Sequence, residues 1–168
     1  PRTTTDAHAK GEIYFDTNND LWICVADGTP GTWVRLAGPG TAGPFTVLHA
    51  PARVYDTRPN SGLPGAGTGP VVGVRRDIDL TAASSTVPAD ATAAVVVVTV
   101  TNTTATSTGR ATVFANDLPG APMVNTLRWT AANLTLAATT TSAVVGGKVA
   151  VRIDPQANLI VDVLGYHR

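Results

Sequence analysis

Arg53, Asp56 and Arg58 form the densest cluster of charge beside an expected strand in this chain. Arginine and aspartate make directional, charge-assisted hydrogen bonds, so such a cluster has the chemistry to hold a sugar hydroxyl or a carboxylate. The same residues have a second use. Asp56 can pair with Arg58, or accept backbone N–H groups, and so fix the mouth of the Gly-rich loop that follows. The second use is the simpler; the first makes Arg53, Asp56 and Arg58 the ligand-binding candidates.

The three tryptophans offer flat apolar faces that complement a pyranose ring. Trp22 and Trp33 share a short aromatic segment with Tyr14, where rings have few other ways to bury. Packing against the rest of the chain, or across a subunit interface, is therefore expected of all three. Trp129 stands between Arg128 and Thr130, which must face the other way, and it joins the ligand candidates.

Other arrangements fail on spacing. Asp16, Asn18 and Asp20, with Asp27 at the twelfth position, resemble the start of a calcium loop, but Leu21 occupies the position that needs glycine. A β-turn is the better reading, and no metal is expected. The single Cys24 rules out an internal disulfide. His8, His49 and His167 are scattered, and no serine sits in a Gly-x-Ser-x-Gly elbow. Glu12 is the only glutamate, so a glycosidase-like pair would need two aspartates. Asp77 and Asp79 share a strand face, where solvation or arginine pairing explains them. The Gly-rich segment 62–73 has no following Lys-Ser or Lys-Thr and opens no helix, so it fails as a phosphate cradle and reads as a flexible connection. No enzyme activity and no cofactor are expected.

The elements that must position these residues are strands. Charged residues are 14% of the chain and net charge is zero, with the signs scattered, which argues against nucleic acid or an anionic membrane as a partner. No apolar run reaches a membrane span. Apolar residues are 43% but aromatics only 5%, so the core must be built from Val, Ala and other small aliphatic side chains. Residues 1–10 read as a frayed arm or a connection to upstream sequence. Segments 12–16, 20–26 and 32–36 read as a meander too small to bury a core by itself. Residues 37–44 hold three Gly and two Pro. We divide the chain into an arm and meander over 1–40, a Gly/Pro linker over 41–51 and a main domain over 52–168. There, strands are expected at 53–57, 71–80, 92–101, 110–115, 123–130, 133–138, 142–145, 148–153 and 159–163, with a long surface loop over 59–73 and at most one helical turn at 82–86. Spacings near a dozen residues predict an all-β fold, an antiparallel sandwich or jelly roll of about eight strands.

The main-domain blocks are similar to a module of secreted actinobacterial surface proteins. Those blocks are 52–58 (ARVYDTR), 87–102 (VPADATAAVVVVTVTN), 109–114 (GRATVF), 125–129 (NTLRW) with 132–133 (AN), and 159–166 (LIVDVLGY). The resemblance implies a β-fold, an extracellular location and an accessory role beside other domains. The meander, 11–17 (GEIYFDT) through 31–34 (GTWV), resembles segments of phage tail fibres and collagen-like fibrous proteins, which implies a trimer. The expectation is a non-enzymatic extracellular or virion-associated attachment head, self-associating as a homotrimer through Tyr14, Trp22 and Trp33. The alternative is a monomeric carbohydrate- or cell-wall-binding accessory module of a secreted enzyme. Partners on either view are the chain itself, a surface glycan or a cell wall, with no nucleic acid and no membrane insertion.

Overall fold

The computed structural model describes residues 5–38, 43–71, 73–82, 85, 87–104 and 108–168. Parts of the expected arm and meander (1–4, 39–40), linker (41–42), strand 71–80 (72) and helical turn (83, 84, 86) lie outside them. The chain divides into two compact units, Pro1–Gly43 and Pro44–Arg168.

The first unit is a three-stranded antiparallel meander of β1 (Ile13–Phe15), β2 (Leu21–Ala26) and β3 (Thr32–Ala37). Asp16 makes the first turn, its Oδ1 accepting the N–H groups of Asn18 and Asp20 at 2.9 Å. Alternation gives the sheet two unlike faces. On one, Trp22, Cys24 and Trp33 bury each other. On the other, Ile13 pairs with Ile23 and Ile23 with Val34. The arm is not frayed from His8 onward. His8 exchanges both backbone hydrogen bonds with Gly28, and its ring meets Trp33 edge-on at 5.0 Å. A ring contact with a residue 25 positions away leaves no periodic signal in a short polar segment.

The second unit is a β-sandwich. One antiparallel sheet has the order β4-β11-β6-β9, from β4 (Phe45–Asp56), β11 (Asn158–His167), β6 (Ala93–Thr101) and β9 (Leu136–Ala143). The other has the order β5-β10-β7-β8, from β5 (Arg75–Asp79), β10 (Lys148–Asp154), β7 (Gly109–Ala115) and β8 (Leu127–Trp129). The pairing is nested: the first strand lies beside the last, the second beside the next to last, and β7–β8 is the innermost hairpin. Where the sheets meet, β4 lies beside β5 and β8 beside β9.

The inner faces are lined by period-two residues of the two sheets. Val96, Val98 and Val100 of β6 and Leu159, Val161 and Val163 of β11 face Val149, Val151 and Ile153 of β10, all fully buried. Each such side chain contributes about 1.5–3 kcal/mol relative to exposure. β-Branched residues dominate because they fit the pleated surface, as the low aromatic content required. Edge strand β5 turns Arg76, register partner of Val151, toward this inner side at the sheet end. An inward charge on an edge discourages pairing with a foreign strand.

Several boundaries differ from the sequence reading. Residues 45–51, read as linker, form the first half of β4, because their partners Gly165, Tyr166 and His167 lie at the far end of the chain. The strand tolerates Pro51 near a register shift opposite Val163 and Gly165. Segments 133–138 and 142–145 are one strand, β9, whose Thr139, Thr140 and Thr141 pair residue by residue with β6. Among the described residues, segment 123–130 supplies strand only at Leu127–Trp129, and 71–80 only at Arg75–Asp79.

Candidate functional site

The last residues of β4 carry the predicted cluster, and the structure brings its members together. Alternation places Arg53 outward, beside its register partner Asp162 of β11. Its Nε donates to Asp162 Oδ1 at 2.8 Å and a terminal nitrogen donates to Oδ2 at 3.2 Å, a two-point grip. Asp56 ends the strand with only 1% of its surface exposed. The Nε of Arg58 donates to both Asp56 oxygens at 3.1 and 3.2 Å, and a terminal nitrogen donates to Oδ2 at 2.8 Å. The backbone N–H of Arg58 donates to Oδ1 at 3.0 Å. A terminal nitrogen of Arg53 stands 3.9 Å from the same carboxylate.

Burial alone would raise the Asp56 carboxyl. The hydrogen bonds from the Arg58 side chain and backbone, with the charges of Arg58 and Arg53, outweigh it and hold Asp56 below the ordinary carboxylate value. Arg53 is raised, chiefly by its hydrogen bond to Asp162, and Arg58 by its hydrogen bond to Asp56.

The Gly-rich loop is built onto this brace rather than loosely attached. Ser61 Oγ donates to the carbonyl of Asp56 at 3.1 Å, and the N–H of Asp56 donates to the carbonyl of Pro64. Gly65 sits against the Tyr55 ring at φ +90°, and a Cβ there would come within 2.6 Å of the ring. Thr57, fully buried, accepts the Leu159 N–H on its Oγ1 at 3.0 Å. Polar loops usually signal solvent; this one is pinned locally to Tyr55 and Asp56, and Thr57 ties its mouth to Leu159 far along the chain.

Between brace and loop lies a cleft of about 340 Å³ lined by Arg53, Asp56, Arg58, Asn60, Ser61 and Leu63, with Pro59. Its lining holds one carboxylate and no histidine or cysteine, so it offers hydrogen bonds rather than an acid–base pair. The N–H groups of Arg53 and Arg58 that are not spent on carboxylates, together with Asn60, are what it presents to a polar ligand.

Trp129 is not part of this surface. It points inward from β8, is 2% exposed, and lies over its register partner Gly109. A Cβ at Gly109 would fall 2.0 Å from the indole, so the absence of a side chain there makes the seat for the ring. No ring face is left for a sugar. Trp22 and Trp33, expected with Tyr14 at a subunit interface, are instead buried with Cys24 within the meander itself, 8% and 7% exposed. Trp22 donates its Nε1 to Asp16 Oδ2 at 3.0 Å and Trp33 to the Pro30 carbonyl at 2.7 Å. Tyr14, 40% exposed, is the ring of the three that reaches solvent.

The calcium-like residues are likewise engaged. Asp16 takes N–H groups on both oxygens and is lowered first by the Asp20 backbone hydrogen bond, against a burial that raises it. Asp20 takes the Arg35 side chain at 2.8 Å. Asp77 is held by Arg75 at 2.6 Å and Asp79 by Thr81.

Sequence reasoning missed Asp162, although a lone carboxylate inside the apolar run 159–164 was a signal. It also missed Arg110, Arg128 and Arg152, which gather only when β8, β7 and β10 pair.

No family model, curated protein or solved structure matches the chain. Among the described residues no helix is long and apolar enough to cross a membrane.

Proposed function

We propose that this chain is a non-enzymatic attachment head of an extracellular or virion-associated assembly, in which the meander joins three copies and the sandwich displays a binding surface. One observation carries the reading. The meander face opposite the tryptophans is a sheet surface of Ile13, Phe15, Val34 and Leu36, with Ile13 69% and Phe15 64% exposed and no charge among them. An uncharged, apolar sheet face turned toward a three-fold axis meets equally uncharged copies of itself, and burying it removes the hydration cost of each side chain. The similarity of this segment to fibre proteins supports the trimer. The similarity of the main domain to secreted surface modules supports the extracellular setting.

The alternative is a monomeric accessory module that binds carbohydrate or cell wall. The cleft bounded by Arg53, Arg58 and Asn60 favours it, because its donors match sugar hydroxyls and need no partner copy.

Light scattering on the intact chain and on an Ile13→Glu/Val34→Glu variant separates the two. Three chain masses in the wild type, reduced to one in the variant with unchanged circular dichroism, support the fibre head. One chain mass for both removes it in favour of the accessory module.

A further inference from the structure

The outer face of the second sheet carries an imbalance of charge that the fold itself does not use. Arg110 of β7 and Arg128 of β8 are direct cross-strand partners, and Arg152 of β10 is the direct partner of Arg75 of β5. Like charges directly opposite each other on a sheet are destabilising. The second pair is relieved, because Arg75 turns away to Asp77 and to Asn116 Oδ1 at 3.0 Å, and also donates to the carbonyls of Asn116 and Leu118. The first pair has only Asp154, at 3.4 Å from Arg110. Arg128 and Arg152 have no ion-pair or hydrogen-bond partner among the described residues. At this end of the face three guanidinium groups, Arg110, Arg128 and Arg152, therefore share one carboxylate, Asp154, in a chain whose net charge is zero.

The imbalance lies in a groove. A cleft of about 440 Å³ is lined by Thr108, Arg110, Asn125, Arg128, Asp154 and Pro155. A narrower one of about 50 Å³ shares Arg110, Asn125 and Asp154 and continues to Arg152, Pro122 and Met123. The β7–β8 loop forms its wall, held by Thr112 Oγ1 donating to the Val124 carbonyl at 2.9 Å and by the Val113 N–H donating to Thr126 Oγ1 at 3.0 Å. Met123 stands 94% exposed beside the arginines.

We propose that this groove binds an acidic glycan, a chain of sugar rings bearing carboxylate or sulfate groups. Arg128 and Arg152 grip the anionic groups at its two ends, and Asn125 and Thr108 serve the hydroxyls. Guanidinium forks match the paired oxygens of such groups. Met123 and Pro122 give an apolar ledge for a ring's C–H face, which a free inorganic anion would not need. A nucleic acid fits less well, because no aromatic ring lines the groove to stack on a base. The proposal names the ligand class of the displayed surface and so rests on the attachment reading.

The test is titration calorimetry on the intact chain with oligogalacturonate (carboxylate), dextran sulfate (sulfate), neutral dextran and oligo-dT. The expected result is saturable binding to one or both acidic glycans, none to neutral dextran and weaker binding to oligo-dT. In Arg128→Gln/Arg152→Gln, with wild-type melting, glycan affinity should fall about tenfold or more. In Asp154→Asn, which removes the competing carboxylate, it should rise several-fold; this second variant reports even where the first folds poorly. Absence of glycan binding, binding indifferent to both variants, or oligo-dT bound as tightly as the glycans each overturns the proposal. Light-scattering mass on the same samples keeps the readings apart. A chain that forms trimers through its meander but ignores acidic glycans loses this ligand and keeps the fibre head.

Discussion

Replacing Asp56 by asparagine tests whether the brace at the end of β4 matters through charge. Asparagine keeps one carbonyl oxygen for the Arg58 N–H but sets an amide NH₂ where Oδ2 accepted the Arg58 side chain at 2.8 Å. Donor then faces donor in a site whose acceptor side chain is 2% exposed. Breaking a fully buried ion pair costs about 3–5 kcal/mol. Here both arginine side chains are 44% exposed and keep much of their hydration, so the lower range for hydrogen bonds to charged groups applies. That gives about 2 kcal/mol, or a fall in Tm of about 6–8 °C for a domain of this size.

The pH dependence has a definite sign. The folded carboxyl lies below its ordinary value of 3.8, so its stabilisation is complete above that value and drains away as pH falls through the folded one. Urea denaturation of wild type and Asp56→Asn, followed by far-UV circular dichroism at neutral pH and at about pH 2, should show a gap that narrows in acid. A gap of the same size at both pH values would show that packing, not charge, sets the cost. A neutral-pH gap below about 0.5 kcal/mol would show that the brace carries no weight.

Two other substitutions probe how the sandwich is assembled. Gly109→Ala drives a Cβ to 2.0 Å from Trp129 and should cost about 3 kcal/mol in urea denaturation, with much of that recovered when Trp129→Leu is added; strict additivity would mean the two do not share the site. Thr57→Val leaves the Leu159 N–H without its acceptor in a fully buried position, and should cost about 1–3 kcal/mol with faster exchange of the Leu159 amide.

How much of this was legible in the sequence depends on the range of each interaction. The all-β class, the meander and the valine-rich central strand followed from local alternation, since Val96, Val98 and Val100 are buried by period two wherever the partners lie. Arg53, Asp56 and Arg58 stand within six positions, so their meeting at a strand end was readable. Asp162 was not, because its contact with Arg53 spans 109 positions. The same holds for 45–51, whose strand character depends on the opposite end of the chain. Trp129 misled for a related reason. Its neighbours Arg128 and Thr130 fixed that it faces away from them, but whether that side is solvent or core depends on Gly109 across the hairpin.

The pairing of the first strand with the last has a mechanical consequence. Phe45 opens β4, His167 closes β11, and the two are register partners whose rings lie 5.0 Å apart. A pull applied through the two ends of the unit would therefore act on one rung of one ladder and open it rung by rung, as a zip opens, rather than shear all its hydrogen bonds at once. A head anchored through only one of those ends, with load entering across its broad faces, keeps that seam unloaded. Tethered at both, it would yield first at Phe45 and His167.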